Sequence, residues 1–212
     1  MIPINILSKV GIFEVEFEGC KIKVSVIDNV ALIDRNIAEL RSSLRKPVVG
    51  FDVKFGTDHH DQNNAEIAKL LILCMKTRCL IIQLSNLVSV PDGLKDFLSD
   101  ESICFVGKGM GNKVTSIHRS HGVSCATGVE VSDFVARVLK KPNLIGSCNL
   151  TDLAKEVGLV TVSKETGCFE RSCQRAPDWS ARIFTDAEIK SAIPEAILCY
   201  YIGLTLLGKL NL

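Results

Sequence analysis

Aromatic residues are scarce in this chain. They make up 6% of its 212 residues, so Leu, Ile and Val must fill most of the core. An excess of either charge is also missing, because 25 Lys and Arg side chains nearly balance 24 Asp and Glu side chains. Proteins that bind nucleic acid regardless of sequence normally carry a basic excess. The balance argues against such binding over the whole surface, and it leaves room for a local basic groove.

Long apolar runs are absent as well. The longest, Ala196 to Leu207, is shorter than the roughly 20 residues needed to cross a bilayer. The first residues, Met1 to Leu7, lack the basic leader of a secretory signal. We therefore expect no membrane partner and a nuclear or cytoplasmic protein.

Cysteine is plentiful but unpatterned. The nine residues are scattered, form no Cys-x-x-Cys motif and lie largely within apolar runs. Buried free cysteine behaves as a small hydrophobic residue. An odd count in a chain of this length indicates reduced thiols in a cytosolic or nuclear protein.

Hydrophobic periodicity outlines the order of the elements. Residues 13–18 and 21–26 alternate as a β-hairpin, and residues 34–44 have helical spacing. Apolar strands are predicted at 48–55, 70–75, 79–84 and 103–107, and helices at 91–98, 131–139, 149–158 and 186–207. This order predicts an α/β fold, a mixed sheet of about five or six strands flanked by helices. We expect residues 1–46 to extend the sheet of a unit at 47–212, with the two forming one compact body.

Asp52 ends the apolar run Val48-Val49-Gly50-Phe51-Asp52 within the most informative of these strands, residues 48–55. The chain resembles the DnaQ-like 3'–5' exonuclease domain of the ribonuclease H-like superfamily. The resemblance rests on this run, the Cys79-Leu-Ile-Ile-Gln-Leu strand, the Phe105-Val-Gly-Lys-Gly segment and the late Asp178-Trp pair. The chain is most similar to the plant branch related to the Werner syndrome exonuclease. The resemblance spans roughly residues 13 to 207 and implies a ribonuclease H-like sheet.

Four acids and a tyrosine are implied by the resemblance, and few of them are present. Asp52 matches the first acid, whereas Lys54 replaces the glutamate two residues later. Lys113 stands at the aspartate position of the second motif. In the last helix Ser191 takes the tyrosine position and Glu195 the final aspartate position. Asp52 and Glu195 are therefore the vestigial catalytic residues, and the metal ligands if any metal binds.

These replacements bear directly on the chemistry that the resemblance implies. The family hydrolyses phosphodiesters with two Mg²⁺ or Mn²⁺ ions about 4 Å apart, held by carboxylates. The formal charges of Asp52, Lys54, Lys113 and Glu195 sum to zero. We expect the lysines to pair with the carboxylates, within about 5 Å, and no metal cofactor to be held. The function expected is therefore a nucleic-acid-binding relative of the exonucleases that is catalytically impaired or inactive.

Two alternative functions stay open. An active metal-dependent exonuclease would need relocated ligands, and the segment Asp58-His59-His60-Asp61 could supply them, although such residues also favour an ordinary polar turn. A structural subunit of an oligomer is the other alternative. Residues 196–207 are apolar on nearly every face, so the helix they form is either enclosed by the fold or meets another copy. Partners expected are therefore single-stranded or duplex nucleic acid and a second copy of the chain.

Overall fold

The computed structural model describes residues 6, 9–57, 66–147, 149–159 and 177–210 of the chain. Its strands are β1 (Ile12–Phe17), β2 (Cys20–Ile27), β3 (Val48–Thr57), β4 (Glu66–Met75), β5 (Arg78–Gln83), β6 (Cys104–Gly107) and β7 (Gly128–Glu130). Its helices are α1 (Val30–Ser42), α2 (Asp92–Leu98), α3 (Met110–His121), α4 (Val131–Leu139), α5 (Leu150–Val157), α6 (Asp186–Ala192) and α7 (Pro194–Lys209).

The strands form one mixed sheet in the order β1-β2-β5-β4-β3-β6-β7. The hairpin of β1 and β2 extends this sheet, because β2 runs parallel to β5. β3 lies between antiparallel β4 and parallel β6. The predicted α/β fold with an N-terminal hairpin is confirmed. Its seventh strand, β7, has three residues and is too short to show as alternation. The division at residue 46 stays a prediction.

The two faces of β3 are chemically different because successive side chains point to opposite sides of a strand. Phe51 lies on one face and makes an edge-to-face contact with Phe105, which does the same with Phe97 of α2. Asp52 lies on the opposite face, and it is fully buried. Apolar packing on one side thus fixes a strand that carries a buried charge on the other.

α1 begins at Val30, four residues before the helix that periodicity predicts from Asp34. Asn29 caps it: its side-chain oxygen accepts hydrogen bonds from the backbone N–H groups of Ala31, at 3.0 Å, and Leu32, at 3.4 Å. Asparagine is among the preferred residues at this position. The cap therefore allows the helix to begin at Val30, before the regular apolar spacing that starts near Asp34.

α3 is a helix that is not among those predicted from periodicity. Gly109 has a φ of 65° and lies immediately before the helix. The helix buries Met110, Lys113 and Ile117, which are spaced three and four residues apart. Because Lys113 is charged, the buried face of this helix does not appear as a regular apolar pattern in the sequence.

The predicted helix over 186–207 is two helices, because α6 ends at Ala192 and α7 begins at Pro194. Proline has no N–H to continue the hydrogen bonds of a preceding helix and is well placed at a first position. Ala196, Cys199, Ile202 and Leu206 of α7 are buried. The apolar character of residues 196–207 therefore reflects a helix that the fold itself encloses.

Taken as one stretch, Asp186–Lys209 is long and apolar enough to cross a membrane by length and composition alone. The expectation drawn from residues 196–207 counted only the uninterrupted apolar run. In this fold 61% of the 18-residue apolar window within the stretch is buried, as is usual for the core helix of a globular domain.

The cysteines differ from the expectation of reduced thiols. Cys74 and Cys79 form a disulfide, and they face each other directly in the register of β4 and β5. Spacing along the chain could not reveal this, because the pairing depends on where the hairpin turns. Cys20, Cys104, Cys125 and Cys199 are free among the described residues.

Candidate functional site

The candidate site is built on Asp52 at the centre of the sheet. β3 places this carboxylate between strands on both sides, and Asp52 Oδ1 accepts a hydrogen bond from the backbone N–H of Val53 at 2.7 Å. Asp52 and Lys113 are the only charged side chains in the described ranges that are buried. A buried charge must be paired or it shifts toward its neutral form, so these two residues define the site.

Both lysines contact the buried carboxylate. Lys54 Nζ lies 2.8 Å from Asp52 Oδ2, and Lys113 Nζ lies 2.5 Å from Asp52 Oδ1. Lys54 is on the same face of β3 as Asp52, two residues along. Lys113 comes from α3, which follows β6, and a Cβ at Gly107, the last residue of β6, would lie 2.6 Å from the Phe51 carbonyl oxygen of β3. The predicted pairing of the two lysines with carboxylates is confirmed.

Glu195 joins the same array from the first turn of α7. Lys113 Nζ lies 3.4 Å from Glu195 Oε2, and Lys108 Nζ lies 4.0 Å from Glu195 Oε1. Lys54, Asp52, Lys113, Glu195 and Lys108 thus alternate in sign. We call these five residues the charge chain. It contains three ammonium groups and two carboxylates, so its formal charge is +1.

Close packing of α7 on the sheet brings Glu195 to Asp52. A Cβ at Gly50 would lie 1.9 Å from the backbone oxygen of Ala196, so only glycine permits this approach. Gly203 plays the same part farther along, where a Cβ would lie 2.9 Å from Val106 Cγ2. Two glycines therefore set the distance between α7 and the sheet.

The protonation of Lys113 follows from its neighbours. Burial alone lowers the pKa of Lys113, but the carboxylates of Asp52 and Glu195 outweigh burial and raise that pKa above its ordinary value of 10.5. Lys113 is therefore an ammonium ion at neutral pH. Its positive charge is a permanent part of the site.

Cys199 is a member of the site that the sequence analysis missed. It is fully buried and close enough for the charges of Asp52, Lys113 and Glu195 to act on its thiol. Burial raises the pKa of Cys199 far above its ordinary value, with the charge of Asp52 adding to the effect. The thiol therefore stays neutral. Its spacing of four residues from Glu195 places both on one helix face, which is the signal that could have identified it.

Two further neighbours were also missed. Lys108 follows β6 directly, and Glu130 ends β7 and accepts a hydrogen bond from the N–H of Met110 at 2.9 Å. Parallel strands end at one edge of a sheet, so the position of both residues after β6 and β7 could have suggested them.

Ser191 does not join the charge chain through the contacts described. Its hydroxyl donates a hydrogen bond to the carbonyl of Glu188 within α6, at 2.8 Å. Serine is too short to replace a tyrosine that orients water, and here its hydroxyl is engaged by its own helix. The residues Asp58, His59, His60 and Asp61, considered as relocated ligands, lie outside the described residues.

These residues do not fit a pair of divalent cations. Both carboxylates of the charge chain already contact ammonium groups. The described part of the chain contains no group of three or more His, Cys, Asp or Glu side chains able to hold a metal ion. An ammonium 4 Å from Mg²⁺ would be repelled by about 8 kcal/mol at an effective dielectric near 20. The donor set is that of a closed ion-pair array.

Solved structures of two exonucleases share this fold. No protein-family model matches the chain, and no curated protein matches it. The crystal structure of the EXD2 exonuclease domain is similar, with 22% identity over 89% of this chain and 90% of that chain and a TM-score of 0.51. The same domain soaked in Mg and GMP gives 22% identity, coverage of 87% and 88%, and a TM-score of 0.50.

A second kind of neighbour is more similar in shape. The catalytic core of RRP6 from Trypanosoma brucei matches with a TM-score of 0.63 at 16% identity, over 89% of this chain and 48% of that chain. Identities this low show the fold alone, and a fold does not carry its chemistry with it. The mixed seven-stranded sheet with flanking helices is the fold that this chain shares with the EXD2 exonuclease domain and the RRP6 catalytic core.

Proposed function

We propose that this chain is a 3'–5' exonuclease-like protein that binds nucleic acid and is catalytically impaired or inactive. One observation carries the proposal: the ammonium groups of Lys54 and Lys113 contact the buried carboxylate of Asp52 at 2.8 and 2.5 Å. We also propose that the chain belongs to the DnaQ-like domains, in the plant branch related to the Werner syndrome exonuclease. In that assignment these lysines stand at the positions of metal-binding acids.

The charge chain suggests how a phosphate backbone would be held without metal. The EXD2 exonuclease domain was soaked in Mg and GMP, and a divalent metal ion offers positive charge to phosphate oxygens. Here the third ammonium group, on Lys108, is in excess over the two carboxylates, and its side chain is 35% exposed. Lysine is a normal ligand of phosphate, acting as a point charge. The proposed site therefore binds backbone phosphate weakly and without Mg²⁺ or Mn²⁺.

The test combines a cleavage assay with a binding assay. Labelled single-stranded DNA and RNA are incubated with wild-type protein and with Asp52→Ala, in Mg²⁺, in Mn²⁺ and in EDTA. We expect no shortening in any lane, and binding that EDTA leaves unchanged. Lys108→Gln should weaken binding, whereas the surface variant Lys95→Gln should not. Shortening from the 3' end that disappears in Asp52→Ala would refute the proposal in favour of an active exonuclease.

The alternative of an active enzyme has its own measurement. Titration calorimetry with Mn²⁺ on wild type and on a variant altered at His59 and Asp61 tests the relocated ligands. Saturable binding lost in the variant would establish them. A protein that neither binds nor shortens nucleic acid would leave the structural-subunit proposal.

A further inference from the structure

A second cluster of cationic side chains lies on the other part of the sheet, around β2 and α1. In the order of strands, β5 and β4 separate β2 from β3 and its charge chain. An open cleft of about 240 Å³ is present there. It lies between the segment that precedes β1, the exposed side of β2, α1 and the first residue of β5.

The lining of this cleft is strongly cationic. Among the described residues that line it, the positively charged side chains are Lys9, Lys23, Arg35 and Arg78, and the one carboxylate is Glu39. Four positive charges against one negative charge leave a net charge of +3 in a chain whose total is +1. The cleft, which we call the α1–β2 cleft, therefore concentrates the positive charge that the chain as a whole lacks.

The ion pairs of the cleft leave part of this charge uncompensated. Glu39 contacts both guanidinium groups, with Arg78 Nη2 at 2.5 Å and Arg35 Nε at 3.2 Å. The hydrogen bond from Arg78 is the main reason that the pKa of Glu39 lies below its ordinary value, so this carboxylate is ionised at neutral pH. It satisfies only part of the five-donor fork of each arginine.

The lysines of the cleft have no such partner. Neither Lys9 nor Lys23 forms an ion pair with any described residue. Glu14 faces Lys23 across the β1–β2 register, yet no ion pair joins them in the described ranges. Arg78 is the register partner of Lys23 on the other side, in β5, so two like charges stand side by side. Like charges directly opposite each other destabilise a sheet unless an anion lies between them.

We propose that the α1–β2 cleft binds a phosphate group. Guanidinium forks suit the paired oxygens of phosphate, and lysine adds point charges. The Ser25 hydroxyl and the Asn36 side chain also line the cleft and offer uncharged hydrogen-bonding groups. Glu39 holds the arginines in place and competes with the incoming anion. This inference does not depend on the proposed function.

The direct test titrates the full-length protein with inorganic phosphate, against chloride at the same ionic strength, by calorimetry. We expect saturable binding in the wild type. In the double variant Lys23→Gln/Arg35→Gln the affinity should fall about tenfold, since two charged donors are removed. The matched control Lys95→Gln/Lys155→Gln removes two surface lysines elsewhere and should bind as the wild type does.

A variant of opposite sign sharpens the test. Glu39→Gln removes the competing carboxylate, so we expect the affinity for phosphate to rise about threefold. Arg78 is left unchanged in every variant because its ion pair is partly buried. A wild type with no phosphate response beyond that to chloride, or equal affinities in the wild type and the double variant, would overturn the proposal.

Two further probes distinguish a terminal phosphate from the phosphodiesters of a nucleic-acid backbone. A nucleoside 5'-monophosphate presents a terminal phosphate, and a short oligonucleotide without terminal phosphate presents only backbone diesters. Binding of either probe that is weakened in Lys23→Gln/Arg35→Gln supports the cleft and identifies the source. Binding of both probes that is weakened by Lys108→Gln and unaffected by the double variant would assign it to the charge chain and refute the cleft.

Discussion

At the scale of single residues, Lys113 decides what the candidate site is. Its ammonium group lies between two carboxylates, 2.5 Å from Asp52 and 3.4 Å from Glu195. A charge pair buried in this way stabilises the fold only while both partners remain. The site is therefore better described as a structural ion-pair array than as an open ligand set.

Removing one partner exposes this dependence. We expect Lys113→Met to lower the free energy of unfolding by about 3 kcal/mol, because Asp52 is left buried with one ammonium group instead of two. Urea denaturation measures the change. The control Lys95→Met breaks an exposed pair with Asp92 and should change stability by less than about 1 kcal/mol.

Coupling between the two residues gives a second check. The double variant Asp52→Asn/Lys113→Met should be less destabilised than the sum of its single variants, because neither partner is then left as an unpaired charge. Additive effects would show that Lys113 contributes packing and not charge.

The pH dependence of stability follows from the raised pKa of Lys113. A folded-state pKa above the unfolded value means that the contribution is fully present below the unfolded pKa and is lost as the pH rises through the folded one. The stability difference between wild type and Lys113→Met should therefore hold up to the ordinary value of 10.5 and shrink above it. Denaturation series at increasing pH measure this, and a difference that grows at alkaline pH would contradict it.

At the scale of elements, the packing of α7 against β3 assembles the site. Gly50 allows the backbone of Ala196 to come so close that a side chain would collide with it. The consequence is that Glu195, one residue earlier, comes within reach of Lys113. Without this approach the charge chain would lose one of its two carboxylates.

Substitution of the glycines tests this approach. Gly50→Ala should destabilise the fold by about 3 kcal/mol, since the added Cβ must displace α7 or β3. Gly111→Ala is the matched control, because a Cβ at that helical position meets nothing within 4 Å. It should stabilise by up to about 1 kcal/mol through helix propensity. Thermal and urea unfolding of both variants decide the point, and equal effects would refute it.

At the scale of the whole molecule, a fold shared with solved exonuclease structures is combined with a site in which Lys54 and Lys113 match the charges of Asp52 and Glu195. We predict that restoring the acids restores metal binding: Lys54→Glu/Lys113→Asp should bind Mn²⁺ saturably in calorimetry, while the wild type does not. Four carboxylates would then stand where the wild type has two carboxylates and two ammonium groups. The surface control Lys95→Glu/Lys155→Asp adds the same charge and should not bind. Saturable binding by the wild type that requires Asp52 would contradict this prediction.

Self-association and location in the cell stay predictions. The apolar residues of α7 gave the reason to expect an oligomer, and burial of Ala196, Cys199 and Leu206 against the rest of the chain accounts for them without a second copy. Size-exclusion chromatography with light scattering measures the oligomeric state directly, and a monomer at micromolar concentration would reject the prediction.

The sequence by itself determined the α/β fold, the hairpin and the core strands. Apolar runs such as residues 70–75 have the length of strands and are bounded by turn residues, and both features are local. The resemblance noted in the sequence also implied that Lys54 and Lys113 would neutralise Asp52, since charges that are buried together must pair. The cysteine pair, the burial of Lys113 and the contact of Lys108 with Glu195 were decided only by the tertiary structure. Each depends on the register of paired strands or on contacts between segments that are far apart in the sequence. Local periodicity predicts neither.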